Sequence, residues 1–388
     1  MSWRRLLIAV ALIFGGFIWL GSDWLAKDTE RKRNGVRDPG PYEVSERAAA
    51  MHRSAFVVDL HADTLLWNRD LLERGDRGQV DLPRLVDGGV GLQVFGIVTH
   101  APKGQNFKVN DDATDLVTPL VMAQKWPPGT WSSRHARALY QAEKLRRYSE
   151  RSDQLEMIGT VAQLDRLLER RAAGEEVIGA FLGLEGAHAL ESDVARLDSL
   201  FDAGFRMIGL AHFIDNDFSG SAHGASKGGL SEIGRELVRE CQRLGLVVDL
   251  AHASPTAFQQ AIEMSTRPMV ISHGGVDGTC PSIRNTSDEE LRLLAGTGGV
   301  IGIGLFKSAV CGSDLDATIE AMMHAISVVG VDHVALGSDF DGSVTTPFGV
   351  DGLPLITEAL LERGLSEADI QKILGDNVVR VLRATLPR

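Results

Sequence analysis

The sequence predicts a (β/α)₈ TIM-like barrel of the α/β class with an N-terminal membrane-anchor helix. Eight short apolar runs alternate with longer amphipathic stretches, as parallel strands and their covering helices would. A histidine or an acidic residue follows most of these runs, and a continuous apolar segment precedes them all. At 388 residues the chain is long enough for one such barrel and an anchor.

The eight predicted strands are four to eight residues long and rich in β-branched residues and leucine. They cover residues 56–60, 91–98, 177–184, 205–211, 246–251, 268–272, 299–306 and 333–338. The clearest predicted helices cover residues 134–152, 161–173, 231–244, 314–329 and 366–382. The longest insertion, residues 100–176, is expected to be helical, and Pro255 and Ser366 are typical of helix starts.

The N-terminal segment predicts a membrane anchor. Residues 6–20, LLIAVALIFGGFIWL, follow Arg4 and Arg5, and with the residues up to Ala26 they approach the ~20 residues that span a bilayer. Because small residues do not occupy the cleavage positions, an uncleaved signal anchor over residues 1–26 is favoured over a cleaved signal peptide or a buried helix. Residues 27–49 are charged and predict a linker, and residues 50–388 form the barrel domain.

The orientation of this anchor is a separate question. Five basic residues follow the anchor and two precede it, which favours a cytoplasmic C-terminal side. Those that follow it are Lys27, Arg31, Lys32, Arg33 and Arg37. Large domains can translocate despite such charges, so we expect a barrel outside the cytoplasm, either periplasmic or extracellular.

Composition narrows the class of protein further. Apolar residues make up 44% of the chain and charged residues 24%, which excludes a largely disordered protein. The net charge of −12 argues against a nucleic-acid partner, since nucleic acids attract basic surfaces. Three cysteines are too few for a disulfide scaffold. The chain is therefore expected to be an acidic enzyme or binding protein.

Residues that can bind a metal follow six of the eight predicted strands. They are His61 and Asp63, Glu185, His212, His252, His273 and Asp339. Each residue alone has an ordinary alternative, such as a hydrogen-bonded core histidine or a helix cap. Because the carboxyl ends of barrel strands form the active-site face, the whole set predicts a metal centre.

Imidazole and carboxylate ligands without cysteine fit Zn²⁺, with Mn²⁺ and Fe²⁺ as alternatives. Such a set suits two ions, which can share a hydroxide and polarise a carbonyl oxygen.

An ordered series of motifs resembles the membrane (renal) dipeptidases, the binuclear zinc peptidases of the amidohydrolase-like barrel group. In chain order the motifs are VVDLHADTLLW, GLQVFGI, GLEGAHAL, RMIGLAHFIDN, KGGLSEIGRELVRECQRLGLVVDLAHAS, PMVISHGG, CPSIRN and VALGSDFDG. They extend over residues 55–342. The resemblance implies a zinc-dependent dipeptidase that hydrolyses small dipeptides, and it leaves a homodimer open.

The resemblance also implies a role for each residue of the site. His61 and Asp63 would bind one zinc ion, His252 and His273 would bind the other, and Glu185 would bridge the two. His212 would stabilise the scissile carbonyl oxygen, and Asp339 would transfer protons as the acid/base. Arg284 would bind the substrate's C-terminal carboxylate, with an exposed loop arginine as the alternative. Asp341 is expected to orient its loop.

The cysteines enter the same comparison. Cys280 and Cys311 resemble a disulfide pair of the family, which would match an extracytoplasmic compartment, while Cys241 would stay free. Two other functions remain open for the same barrel. One is an amidohydrolase acting on N-acyl amino acids or lactams, and the other is a catalytically silent, membrane-tethered binding protein.

Overall fold

The computed structural model describes residues 22–388. Most of the predicted anchor, residues 1–26, lies outside this range and stays a prediction. Within residues 22–388, no helix combines the length and the apolar character needed to cross a bilayer.

Eight parallel strands close into a barrel, which confirms the predicted barrel fold. With β3, which lies outside the ring, the described residues form nine strands: β1 Val57–Ala62, β2 Val90–Val98, β3 Leu155–Met157, β4 Ile178–Glu185, β5 Phe205–Gly209, β6 Val247–Asp249, β7 Val270–Gly274, β8 Val300–Ile303 and β9 Val334–Leu336. Their order is β2-β1-β9-β8-β7-β6-β5-β4-β3, and the pairing of β2 with β4 closes the ring. The short β3, which was not predicted, pairs with the first three residues of β4, and β5 pairs further along the same strand.

Helices surround the barrel, and the five predicted over residues 134–152, 161–173, 231–244, 314–329 and 366–382 are among them. They are α1 (residues 22–33), α2 Glu46–Ser54, α3 Leu82–Asp87, α4 Val117–Ala123, α5 Arg134–Arg151, α6 Val161–Ala172, α7 Arg196–Asp202, α8 Glu232–Leu244, α9 Pro255–Glu263, α10 Asp288–Gly296, α11 Lys307–Val310, α12 Leu315–Val329, α13 Pro354–Glu362, α14 Glu367–Gln371 and α15 Asn377–Thr385. Pro255 is the first residue of α9, and Ser231, Asp314 and Ser366 cap their helices through side-chain oxygens. The helix predicted over residues 366–382 is interrupted by a π-helical segment, Lys372–Asp376.

The barrel strands are buried on both faces, which explains their continuous apolar sequences. Every residue of β2 and of β4 is buried. Neighbouring residues of one strand, such as Val57 and Val58 of β1, belong to two different apolar clusters. This arrangement leaves the ends of the strands as the places where polar side chains gather.

Residues 27–49, for which the sequence predicts a linker, are partly helical and lie against the barrel. Ala26 and Glu30 of α1, and Asn34 directly after it, face inward at a four-residue spacing, and each is at most 6% exposed. Beyond it, Val36 forms a parallel bridge with Thr346. Two of the three inward residues are polar, so this helix lacks the apolar period by which helices are recognised.

Candidate active site

The strand ends bring all the predicted metal-binding residues into one cluster. His61 and Glu185 lie within the last two residues of β1 and β4, and His273 lies within β7. Asp63 directly follows β1, while three further residues lie three positions beyond their strands: His212 after β5, His252 after β6 and Asp339 after β9. All seven are between 1% and 8% exposed. The cluster is therefore enclosed by the loops above the barrel.

Glu185 occupies the centre of this cluster. Its Oε1 lies 3.3 Å from the Nε2 of His252, 3.5 Å from that of His273 and 3.6 Å from that of His61. Its other oxygen, Oε2, lies 3.4 Å from the Nε2 of His212. The carboxylate of Glu185 therefore lies within 3.6 Å of a ring nitrogen of each of the four histidines.

Three overlapping groups of these residues could each hold a metal ion. The groups are His61 with Glu185 and His273, Glu185 with His212 and His252, and His61 with Asp63 and Asp339; the ligand atoms within each group lie within 4.8 Å of one another. The separation of the Nε2 atoms of His252 and His273 is 3.0 Å. Imidazole and carboxylate groups that lie this close together suit first-row divalent ions such as Zn²⁺.

The hydrogen bonding around the cluster fits bound metal ions. Both ring nitrogens of His61, Oδ1 of Asp63 and Oε2 of Glu185 are buried and lack a hydrogen-bond partner among residues 22–388. Buried polar atoms are almost always satisfied, so a group of unsatisfied ones in one place fits a set of metal ligands. Gly96 of β2 supplies room, since a Cβ there would lie 2.5 Å from Oδ1 of Asp63.

Burial shifts the pKa values of the acids and histidines in the cluster. Burial, reinforced by the charge of Asp63, raises the pKa of Glu185 well above its usual range. The same two causes raise the pKa of Asp339 to about 8. Burial also lowers the pKa of three histidines well below the usual value: His212, His252 and His273. Bound cations favour the anionic carboxylates and the neutral imidazoles, so they would offset the repulsion among the three acids.

Two buried aspartates, which sequence reasoning missed, hold the serines that precede His273 and Asp339 in the chain. Asp249 accepts hydrogen bonds from Ser272 N at 2.9 Å and Ser272 Oγ at 2.6 Å, and this hydroxyl lies 2.9 Å from Nδ1 of His273. Asp59 accepts from the backbone and the hydroxyl of Ser338, both at 2.8 Å. Such partners fix the orientation of metal ligands. Their signal is present in the sequence, because each aspartate interrupts an apolar VVDL strand.

Another residue absent from the predicted set is His223, on the loop after β5. Its ring stacks on Phe213 with a centroid distance of 4.9 Å and lies 5.3 Å from the ring of His252. Burial lowers the pKa of His223 to about 3. The backbone oxygen of His223 accepts from the backbone of Asn110, which ties this loop to the segment after β2. His223 therefore helps to close the site.

Arg284 is buried beside the cluster, which excludes an exposed loop arginine. It is 6% exposed, and its Nη2 donates to the carbonyl of His273 at 2.8 Å. Arg284, His252 and the apolar Phe258 and Ile271 line a cavity of about 470 Å³. A guanidinium in this position can recognise a carboxylate next to the metal cluster.

The predicted disulfide is present in the loop that carries Arg284. Cys280 and Cys311 are bonded, and Cys241 is free and buried in α8. The neighbouring Asn285 side chain donates to the carbonyls of Cys280 and Ala309, both at 2.7 Å. The bridge therefore joins the loop after β7 to α11.

The closed parallel barrel and the ligand cluster at its carboxyl end define the class of this protein: a metal-dependent hydrolase of the (β/α)₈ type.

The family follows from comparison with known proteins. A family model described as membrane dipeptidase (Peptidase family M19) matches residues 45–386, so the chain belongs to this family of metallopeptidases. Dipeptidase tcpJ of Claviceps purpurea (strain 20.1) is 32% identical over 316 residues, which cover 79% of this chain and 69% of that protein. Dipeptidase 3 of Mus musculus is 28% identical over 359 residues, covering 87% and 66%. The chain thus matches about two thirds of the length of these relatives.

A solved structure has the same fold. The probable dipeptidase PvdM from Pseudomonas aeruginosa superposes with a TM-score of 0.74 at 20% identity, and the match covers 88% of this chain and 98% of that one. This likeness supports the barrel architecture.

Proposed function

We propose that this protein is a zinc-dependent dipeptidase with two zinc ions. His61 and Asp63 would hold one ion, His252 and His273 the other, and Glu185 would be shared by both. The observation that carries this proposal is the position of Glu185, whose oxygens lie 3.3–3.6 Å from four histidine nitrogens. When bound, the ions would activate a water molecule and polarise the scissile carbonyl.

The residues of the chain itself would orient the substrate and move protons. The Nε2 of His212, which lies 3.4 Å from Oε2 of Glu185, would donate to the carbonyl oxygen of the substrate. Asp339 would take a proton from the attacking water and deliver it to the leaving amine. Its carboxyl group belongs to a potential ligand group with His61 and Asp63, which supports a position beside the reacting atoms.

Arg284 would restrict the substrate to dipeptides. Its guanidinium would bind the free C-terminal carboxylate, and the carboxylate of a longer peptide would lie too far from the scissile bond. The enclosure of the cluster supports a small substrate, since each ligand is at most 8% exposed.

We further propose that the enzyme is anchored in a membrane by residues 1–26, with the barrel outside the cytoplasm. The disulfide between Cys280 and Cys311 supports this location, because disulfides persist in oxidising compartments. The homodimer that the resemblance leaves open stays a prediction.

A dipeptide panel tests the function directly. The full chain, purified in detergent, is assayed against free dipeptides, the corresponding dipeptide amides, N-acyl amino acids and lactams, while its zinc content is measured. We expect two zinc ions per chain and turnover of the free dipeptides. Faster turnover of N-acyl amino acids or lactams would instead make it an amidohydrolase. No bound metal and no turnover with added Zn²⁺ would make it a binding protein.

Arg284→Ala tests the carboxylate contact. We expect KM for free dipeptides to rise at least about tenfold, since a charge-assisted bidentate contact is lost, while the dipeptide amides change little. Arg292→Ala, which removes an exposed arginine from α10, is the control and should leave both substrates unaffected. A KM for free dipeptides that scarcely changes in Arg284→Ala would contradict the proposed contact.

A further inference from the structure

Helix α1 inserts a carboxylate into the structure behind the active site. Glu30 is 2% exposed, although it lies in a helix that precedes the family-matched region, residues 45–386. Its Oε1 accepts a hydrogen bond from Nε of Arg69, and its Oε2 accepts from Nε of Arg77 at 2.7 Å. A buried carboxylate with two arginine partners is held in one geometry.

Arg69 connects this carboxylate to the loop that carries Asp339. Its guanidinium also donates from Nη2 to Oδ2 of Asp341 at 2.5 Å and from Nη1 to the carbonyl of Val80 at 2.6 Å. The side chain of Arg69 is 4% exposed and that of Asp341 is fully buried. Glu30, Arg69 and Asp341 therefore form a continuous buried chain of ion pairs from α1 to the turn after β9.

Asp341 in turn holds several elements around the metal cluster. Its carboxylate accepts from Oγ1 of Thr64, the neighbour of Asp63, at 2.9 Å and from the backbone N–H of Gln79 at 2.7 Å. Its carbonyl accepts from Nε1 of Trp67 at 2.7 Å. Asp341 therefore fixes two segments next to the cluster. One is the segment with Thr64, the neighbour of Asp63, and the other is the turn that contains Asp339.

The turn itself needs such support because its backbone is strained. Asp339, Asp341 and Ser343 have φ angles of 63°, 61° and 64°, in the left-handed region that residues with a Cβ avoid. Strained backbone of this kind persists when surrounding contacts over-determine it. The end of α1 adds one such contact, since Oδ1 of Asn34 accepts from the backbone N–H of Ser343 at 2.9 Å.

A buried ion-pair chain is a weak way to stabilise a fold. Desolvation of the charges offsets most of their attraction, and apolar residues of similar size often stabilise as well or better. What charged pairs supply is fixed geometry, because a guanidinium and two carboxylates bond along defined directions. The contacts of Glu30 therefore suit a role in positioning more than a role in attaching α1.

We propose that Glu30 is a positioning residue for the active site, acting through Arg69 and Asp341 to hold Asp339 and the adjoining ligands. This inference rests on the proposed function for its kinetic consequences. Helix α1, which precedes the family-matched region, would then contribute to catalysis in this chain.

The test is Glu30→Gln in the full chain, with three measurements. We expect kcat for dipeptides to fall about 10- to 100-fold with KM little changed, and the zinc dissociation constant to rise by a similar factor, as for other residues that orient ligands. The third measurement is the melting temperature, which reports any loss of folding. Glu30→Asp keeps the charge and should recover part of the loss in kcat.

Asp28→Asn is the matched control, because Asp28 lies on the same helix and pairs at the surface with Lys32. It should leave kcat and zinc binding unaltered.

If Glu30→Gln does not fold, Asn34→Ala removes the second contact and should lower kcat and zinc affinity in the same way. A folded Glu30→Gln protein with unchanged kcat and zinc affinity would overturn the proposal; only where Glu30→Gln does not fold would an unchanged Asn34→Ala protein overturn it, since both residues support the same turn. If the unmodified protein hydrolyses no dipeptide, the proposed function fails, and zinc affinity alone still tests the role of Glu30.

Discussion

Gly96 leaves the space that two metal-binding side chains occupy. A Cβ at this position of β2 would lie 2.5 Å from Oδ1 of Asp63 and 2.6 Å from Cε1 and Nε2 of His61. These distances are shorter than any van der Waals contact, so a methyl group would displace both side chains. The site depends on this glycine for space, since its backbone φ is not in the left-handed region.

We expect Gly96→Ala to lower zinc affinity and kcat/KM by about 100-fold, because small displacements of reacting groups have effects of this size. Zinc titration and dipeptide kinetics measure the two effects. Gly129→Ala is the control, since a Cβ there meets nothing within 4 Å among the described residues. Normal zinc affinity in a folded Gly96→Ala protein would show that the ligands lie elsewhere when metal is bound.

The sequence predicts the ligands of this site better than the residues around them. His61, Glu185 and the others could be found because each lies at or just beyond the end of a recognisable strand, and barrel topology then places them together. The hydrogen bonds of Asp249 and Ser272 depend on the register between β6 and β7, which a single sequence does not contain. The burial of Arg284 likewise depends on how its loop folds back over the barrel.

At the scale of elements, the disulfide controls the loop that presents Arg284. Cys280 and Cys311 are separated by 31 positions, and the bridge joins the loop after β7 to α11. Arg284 follows Cys280 by four residues, so the bridge limits how far its guanidinium can move relative to the metal cluster. The bridge is therefore expected to affect substrate binding as well as folding.

We expect the double substitution Cys280→Ser, Cys311→Ser to lower the free energy of unfolding by about 3–4 kcal/mol, the loop-entropy value for a bridge of this span. KM for dipeptides should rise more than kcat falls, because Arg284 becomes less well ordered. Denaturant unfolding and steady-state kinetics measure the two effects. Cys241→Ala, in buried α8, is the control for a lost cysteine and should leave KM unchanged. An unaltered KM in the double variant would separate the bridge from substrate binding.

The elements that sequence reasoning missed are those without a periodic apolar signal. β3 is three residues long, Leu155–Met157, and pairs with a segment of β4 that β5 leaves free. Helix α1 faces the barrel with Glu30 and Asn34, so its attachment depends on arginine partners that lie more than 35 positions away in the sequence. The longer strands and helices were predictable because burial alone determines their pattern.

At the scale of the whole molecule, the net charge of −12 does not describe the site. The cluster contains three carboxylates, Asp63, Glu185 and Asp339, and two zinc ions with Arg284 would more than balance them. The mouth of this acidic protein would then be locally neutral or cationic, which suits a substrate with a free carboxylate. The acidity of the remaining surface favours solubility and argues against a nucleic-acid partner.

The disulfide and the basic residues after the predicted anchor make opposite predictions about topology. Lys27, Arg31 and Lys32 form ion pairs in the folded protein, with Asp23, Asp76 and Asp28. These pairs form only after folding, and orientation depends on the count of Lys and Arg rather than on net charge. Stable pairing of Cys280 with Cys311, by contrast, requires an oxidising compartment. We therefore give the disulfide more weight.

The prediction is that the barrel lies outside the cytoplasm and carries one free thiol per chain. Alkylation after denaturation, applied to protein taken from intact membranes without a reductant, should label Cys241 alone, and prior reduction should expose three thiols. A reporter that is active only outside the cytoplasm, fused after Arg388, should be active. Three free thiols without reduction, together with activity of a cytoplasm-only reporter at the same position, would place the barrel in the cytoplasm. In that case the basic residues after the anchor would determine the orientation.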